Sequence, residues 1–224
     1  MTTQRQIVRL LEQYCGRDDL LIRGHDVYLV PIGHVVRGFS IYRTGEKDRF
    51  DIATFCGSSF DSTLESPRGI SSIDRYENWL PRWTHPDLQH DFDRLIQQYI
   101  VPTLTCLDLK TLLPKSDARW QGPEVPFAGS FRMPHMSAPV YAALGDFVSA
   151  DKQLDVLTLI PRGHRIMEPV LAALLDDLRP LIRANDRPGV ADLLHKWEAA
   201  AMSRWALADH WRPTPFPLER QLPA

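Results

Sequence analysis

The stretch HVVRGFSIYRTGEKDRFDIATF, residues 34–55, constrains the fold more than any other part of the chain. Apolar residues alternate on both sides of Gly45-Glu46, the period-two pattern of two half-buried strands joined by a reversal. A Gly-X pair suits a type II′ turn, whose first central residue needs positive φ. Centring the turn there sets Ile41 opposite Phe50, Phe39 opposite Ile52 and Val35 opposite Cys56. Arg43 then faces Asp48, a favourable cross-strand pair. A slip of one residue would send every apolar side chain to the other face. Upstream, LLIRGHDVYLV repeats the pattern around Gly24-His25, so residues 20–56 are expected to form a four-stranded antiparallel meander.

Arg37 resists this pattern. The same register puts it opposite Thr54, between Val35 and Phe39, on the apolar face. An unpaired buried charge is costly. Arg37 therefore either pairs with a carboxylate or reaches solvent at the end of the sheet, or it anchors an anion in a cleft between sheet and helices. Gly38 beside it marks a close backbone approach or a bulge, and a bulge would turn Arg37 to the other face.

Around the meander the apolar spacing becomes helical. Ile7, Leu10, Leu11 and Tyr14 make one stripe over residues 3–15, stopped by Gly16. Residues 57–85 read as irregular. Thr84 with Asp87 reads as an N-cap pair for a helix carrying Leu88, Phe92, Leu95, Ile96 and Tyr99. Pro102 interrupts that helix, and a short one follows over 103–113. Ser137 and Pro139 open a helix bearing Tyr141, Leu144 and Phe147, whereas residues 153–161 fit a buried strand or a short helix equally. A stripe from Glu168 to Leu178 ends or kinks near Pro180. Asp186 and Pro188 start the last helix, which carries Val190, Leu194, Trp197, Ala201 and Trp205 to about residue 210, before an extended proline-rich tail.

Strands followed by helices indicate an α+β fold: an N-terminal antiparallel β-meander packed with helices, and a mainly helical C-terminal half. The division is a sheet-containing region 1–113, a proline-rich connection 114–137 and a helical region 138–224, or one continuous domain.

With 224 residues, 44% hydrophobic, the chain buries a core without metal or disulfide. A net charge of −2 speaks against nonspecific nucleic-acid binding. Cys15, Cys56 and Cys106 form no C-x-x-C pair and are odd in number, as expected of reduced thiols in a cytoplasmic protein. There is no apolar leader and no run of ~18 apolar residues, so neither secretion nor membrane insertion is expected. P-loop, G-x-G-x-x-G, H-E-x-x-H and G-x-S-x-G motifs are absent, and no cofactor is called for.

Four clusters contain chemically competent side chains. His85, Asp87, His90 and Asp91 are metal-ligand types, but Asp87, His90, Asp91 and Arg94 lie opposite the apolar stripe of their helix and read as a solvated face, so no metal is assigned. Cys56 ends a strand near His34 and His25, where a thiol nucleophile is conceivable, yet its apolar face favours packing. His164 lies in a basic turn between Arg162 and Arg165. Arg75, Tyr76, Trp79, Arg82 and Trp83 combine aromatics with arginines, the composition of a protein-binding hot spot or a base-stacking platform; the bland alternative is a lid over the end of the sheet.

The run R-G-F-S-I-Y-R, residues 37–43, followed by a turn and F-D-I, residues 50–52, resembles uncharacterised bacterial proteins of the domain-of-unknown-function kind. Some small proteins of that sort neutralise toxins. The resemblance implies a bacterial protein of immunity type and carries over no catalytic residue. The leading expectation is a non-catalytic protein binder, of immunity or adaptor type, using the Arg75–Trp83 cluster. The alternatives are an enzyme or small-ligand binder acting on an anionic compound, with Arg37 as anchor and His85 and His90 as acid–base or metal groups, and a nucleic-acid-associated protein.

Overall fold

The computed structural model describes residues 2–60, 70–72, 81–113, 131–163, 165 and 167–221. The fold is α+β. Its sheet comprises β1 (Leu20–Arg23), β2 (Asp26–Leu29), β3 (Val35–Arg43), β4 (Phe50–Ser58) and β5 (Ile70–Ser72), each antiparallel to its neighbours in that order. The expected meander is present, and β5 adds a short edge strand within the segment read as loop. Gly24 and His25 make the first turn between paired Arg23 and Asp26, with Gly24 at φ +64°.

The second hairpin corrects the expected register. Ile41 pairs with Ile52, Phe39 with Thr54, Arg37 with Cys56, Val35 with Ser58 and Arg43 with Phe50. The tight Gly45-Glu46 turn is replaced by a loop, Thr44–Arg49. Hydrogen bonds explain the wider loop. Thr44 Oγ1 donates to the carbonyls of Glu46 (3.1 Å) and Arg49 (2.9 Å). The loop is also held from outside: Trp83 N donates to Asp48 O at 3.0 Å, and Thr84 Oγ1 donates to Asp48 Oδ2 at 2.6 Å. Asp48 thus serves Thr84 rather than Arg43. The shift is two residues, so every side chain keeps its face.

No bulge occurs at Gly38, because the β3–β4 ladder runs unbroken through it. The glycine permits a close approach instead. A Cβ there would lie 2.1 Å from Val27 O and 2.6 Å from Phe55 Cζ. Across the gap Tyr28 and Phe55 meet edge to face at 5.3 Å.

Both faces of the sheet are covered. Val27, Val35, Phe39, Ile41, Phe50 and Ile52 face α1 (Gln4–Leu11) and α2 (Leu88–Leu95), through Ile7, Leu10 and Phe92. The opposite face, with Tyr28, Val36 and Phe55, packs under Ala201, Met202, Trp205 and Leu207. One core runs from Ile7 to Leu218 and takes in both sheet and helices.

Pro102, expected to interrupt its helix, and Pro180, expected to end or kink one, are passed by the same device. After α2 the chain makes a π-helical turn over Ile96–Ile100 and enters α3 (Val101–Thr105) through Pro102. The short α4 (Leu109–Leu112) follows. Later, α7 (Glu168–Leu171) widens into π geometry over Ala172–Leu178 and enters α8 (Arg179–Arg183) through Pro180. Proline lacks the N–H and crowds the carbonyl four residues back; the wider turn relieves that geometry without ending the helix. The intervening α5 (Pro134–Ala143) starts at Pro134, and α6 (Phe147–Leu157) settles residues 153–157 as helix. α2 itself starts at Leu88, later than a Thr84 cap requires, because Thr84 is spent on Asp48. The last helix, α9 (Arg187–Arg204), is capped by Asp186, which accepts from Gly189 N at 2.9 Å. The tail returns across the core, burying Phe216 and Leu218. Among the described residues no helix is long and apolar enough to cross a membrane.

Candidate functional site: a cationic cleft at the end of the sheet

Arg37 keeps the apolar face that the alternation demands, and escapes it at the end of the sheet. Its Nη1 donates to Thr105 O at 3.2 Å and Leu107 O at 2.7 Å. These carbonyls lie at the C-terminal end of α3, where a helix leaves acceptors unpaired. Burial lowers the pKa of Arg37, partly offset by the nearby Cys106 and Asp108; a guanidinium stays charged throughout. Both hydrogen-bond partners among the described residues are neutral carbonyls, and Asp108 acts on the charge from nearby without forming an ion pair among the described residues.

Beside it opens a cleft of about 460 Å³, lined by His34, Arg37, Asp108, Lys110, Thr214 and Arg220 among others. Asp108 is the one carboxylate of that lining among the described residues. It is committed to α4, where Oδ1 accepts from Thr111 N at 2.7 Å. Among the described residues, the charged side chains of the lining are therefore three cations, Arg37, Lys110 and Arg220, and one carboxylate, set in a largely apolar wall.

His34 also lines the cleft. The hydrogen bond from Ser59 N to His34 O, 2.9 Å, extends the β3–β4 ladder one step past Val35 and Ser58. That step brings His34 and Ser59 together beneath α9. His34 Nδ1 lies 2.8 Å from Glu198 Oε1, and Ser59 Oγ donates to the same oxygen at 2.5 Å. His195 Nδ1 is 3.2 Å from Glu198 Oε2, and its Nε2 is 2.9 Å from Glu219 Oε2. Glu219 Oε2 also accepts from Phe216 N at 2.6 Å, which ties the tail into the network. Glu198 is 0% exposed. A carboxylate at that depth requires converging donors, and three side chains meet it here. The free edge of His34, Nε2, lies 3.1 Å from Thr214 Oγ1 and 3.4 Å from Pro215 O. Its ring stacks on Phe216, centroids 4.1 Å apart at 17°.

The sequence marked Arg37 alone among these. Glu198 had a readable signal: it follows Leu194 by four residues and lies inside the stripe Val190, Leu194, Trp197, Ala201. Lys110, Thr214 and Arg220 had none, since only the fold brings them to the cleft. His34 was considered as a helper for Cys56, but its partner is Glu198. Cys56 is fully buried, and burial pushes its thiol up to about 12.

The other candidates among the described residues do not line the cleft. Arg75, Tyr76 and Trp79 fall outside the described residues, as does His164. Arg82 is exposed. Trp83 is half-buried against Phe50, ring centroids 4.4 Å apart, and its Nε1 donates to Thr2 Oγ1 at 2.9 Å. His85, Asp87 and His90 are exposed at the start of α2. Among the described residues, no group of three or more His, Cys, Asp or Glu side chains converges to hold a metal ion. Arg162 is tied to Glu168 and Asp176.

No protein-family model matches the chain, and no curated protein or solved structure shows significant similarity to it.

Proposed function

We propose that the protein binds a small anionic compound, bearing a carboxylate or phosphate, in the cleft between Arg37, Lys110 and Arg220. The carrying observation is the state of Arg37: a half-buried guanidinium held by two carbonyls, with its charge left for something that enters the cleft. A guanidinium has five N–H donors in a fixed fork, suited to bidentate recognition of such groups. The volume of about 460 Å³ is in the range of small-molecule sites. The immunity- or adaptor-type reading rests on the Arg75–Trp83 cluster, of which Trp83 is engaged within the fold.

The test is the melting temperature of the purified protein with phosphate, glutarate or neutral glutaramide. Ligand binding raises stability by RT ln(1 + [L]/Kd). Stabilisation by an anion, absent with glutaramide and lost in a Lys110→Gln/Arg220→Gln variant, is expected. Equal stabilisation of that variant, or none of the wild type by either anion, refutes the proposal. Both exchanged residues are exposed, so the variant keeps its core.

A further inference from the structure

A hydroxyl and an imidazole line the cleft, and a buried carboxylate backs the imidazole from behind the wall. We propose that Thr214, His34 and Glu198 form a catalytic triad, and that the protein transfers the acyl group of an ester whose acyl part bears an anionic group. The preference for such an ester rests on the anion-binding reading above; the triad itself does not.

Three observations carry the proposal. The first is the chain of contacts. Thr214 Oγ1 lies 3.1 Å from His34 Nε2, and His34 Nδ1 lies 2.8 Å from Glu198 Oε1. A nucleophile within reach of a base, itself oriented by a third group, is the geometric signature of an activated hydroxyl. The second is the gradient of exposure. Thr214 is exposed on the cleft, the His34 side chain is 15% exposed, and Glu198 is 0% exposed. Reagents reach the hydroxyl while the carboxylate stays dry. The third is the fixed orientation of the imidazole. Ser59 and His195 converge with His34 on Glu198. An ionised carboxylate only accepts, so His34 offers it the Nδ1 proton and keeps the Nε2 lone pair for the Thr214 hydroxyl. Stacking on fully buried Phe216 stops the ring from turning away. Once Nε2 is protonated, Pro215 O at 3.4 Å faces the new N–H.

The chemistry closes on itself. Thr214 Oγ attacks the ester carbonyl carbon, and its proton passes to His34 Nε2. The bond to the alcohol oxygen breaks, and the alcohol leaves with that proton. Water then attacks the acyl-threonine, giving a proton to His34. The bond to Thr214 Oγ breaks and His34 returns the proton to that oxygen, releasing the acid. Arg37, Lys110 and Arg220 hold the anionic end of the acyl group. Thr214 and His34 touch the reacting atoms; Glu198 is a positioning residue.

The experiment uses 4-nitrophenyl glutarate, which bears a free carboxylate, and neutral 4-nitrophenyl acetate. Nitrophenolate release and the intact mass of the protein are followed for wild type, Thr214→Val, Thr214→Ser, His34→Gln and Glu198→Gln. The expected result is an acyl adduct on Thr214, retained by Thr214→Ser and absent from Thr214→Val. His34→Gln is expected to lose about 10²-fold or more in rate. Glu198→Gln should lower kcat and displace the pH profile while leaving KM, a separation that a clamp for the tail would not produce. Absence of the adduct in wild type, or Thr214→Val hydrolysing like wild type, overturns the triad. The two proposals separate cleanly. If glutarate stabilises Thr214→Val and wild type alike but no adduct forms, the triad falls and the binding reading stands. If the acetate ester acylates Thr214 and glutarate does not bind, the reverse holds.

Discussion

Gly38→Ala is expected to destabilise the protein by about 2–3 kcal/mol. The added Cβ would meet Val27 O at 2.1 Å and Phe55 Cζ at 2.6 Å. Overpacking a close-packed interior costs roughly 1–3 kcal/mol. The upper end applies here because one of the two obstacles is backbone: Val27 is in β2, flanked by paired residues, and cannot rotate aside. The other obstacle is a fully buried ring. Against this stands a gain of roughly 0.4–1 kcal/mol from the stiffer unfolded chain. For a domain of this size, the melting temperature should fall by about 4–12 °C, at roughly 2–4 °C per kcal/mol. Urea unfolding of Gly38→Ala, Phe55→Leu and the double variant measures the effect and divides it. If the ring supplies part of the clash, the double variant loses less than the sum of the singles, by about 1 kcal/mol, the scale of coupling between touching residues. If Gly38→Ala is as stable as the wild type within about 0.5 kcal/mol, the range of ordinary surface changes, the argument for a close approach is wrong.

Three other outcomes are expected. Thiol titration of the native protein at pH 8 should label exposed Cys15 and Cys106 but not Cys56, whose thiol burial pushes up to about 12, and all three should react in denaturant; fast labelling of Cys56 in the native state contradicts its place in the core. Glu198→Ala strips His34, Ser59 and His195 of a shared acceptor and should cost about 3–5 kcal/mol in urea unfolding, whereas Glu198→Gln, which keeps an acceptor oxygen, should cost less; equal costs would mean that the network does not matter. Burial raises the pKa of Asp151, but its hydrogen bonds to Arg183 and Arg179 outweigh burial and leave it below the ordinary 3.8. A carboxylate depressed on folding adds stability above its unfolded pKa and loses it as pH falls through the folded value. The melting-temperature gap between wild type and Asp151→Asn should therefore be full near pH 6 and close below pH 3.8; a gap that persists in acid refutes the ion-pair account.

Much of the sheet was legible because its signal is local and redundant. The alternation around residues 34–55 gives the face of each side chain without reference to the turn. That is why a two-residue error in pairing left the faces of Arg37, Phe39 and Ile41 correct. The pairing itself depended on Thr44, Arg49 and the distant Thr84, and no periodicity reports those contacts. The interruption expected at Pro102 is absent for a related reason, and near Pro180, where the stripe is expected to end or kink, the chain stays helical through a π turn. A missing donor normally ends a helix, but a preceding π turn accommodates it, and nothing in the local composition announces that choice. The cleft was legible at one residue only. Arg37 broke an apolar pattern and so drew attention, and Glu198 breaks the α9 stripe in the same way. Lys110, Thr214 and Arg220 break no pattern where they stand, and their meaning arises from contacts between segments far apart in sequence.

The two residues that break patterns share a consequence. Arg37 and Glu198 are charged groups drawn into one end of the same sheet, from opposite faces. A fold selected for stability alone would replace them with apolar side chains, which are often neutral or better than a buried pair, or set them against each other. Neither has happened. Arg37 is spent on two carbonyls, and Glu198 on a serine and two histidines. Each is satisfied by hydrogen bonds that hold it in place without cancelling the other's charge. The cleft is lined by Arg37 and by His34, whose other ring nitrogen rests on Glu198. Packing alone gives no reason to keep the opposite charges apart. The proposed anionic ligand, held by Arg37 and presented to His34, would supply one.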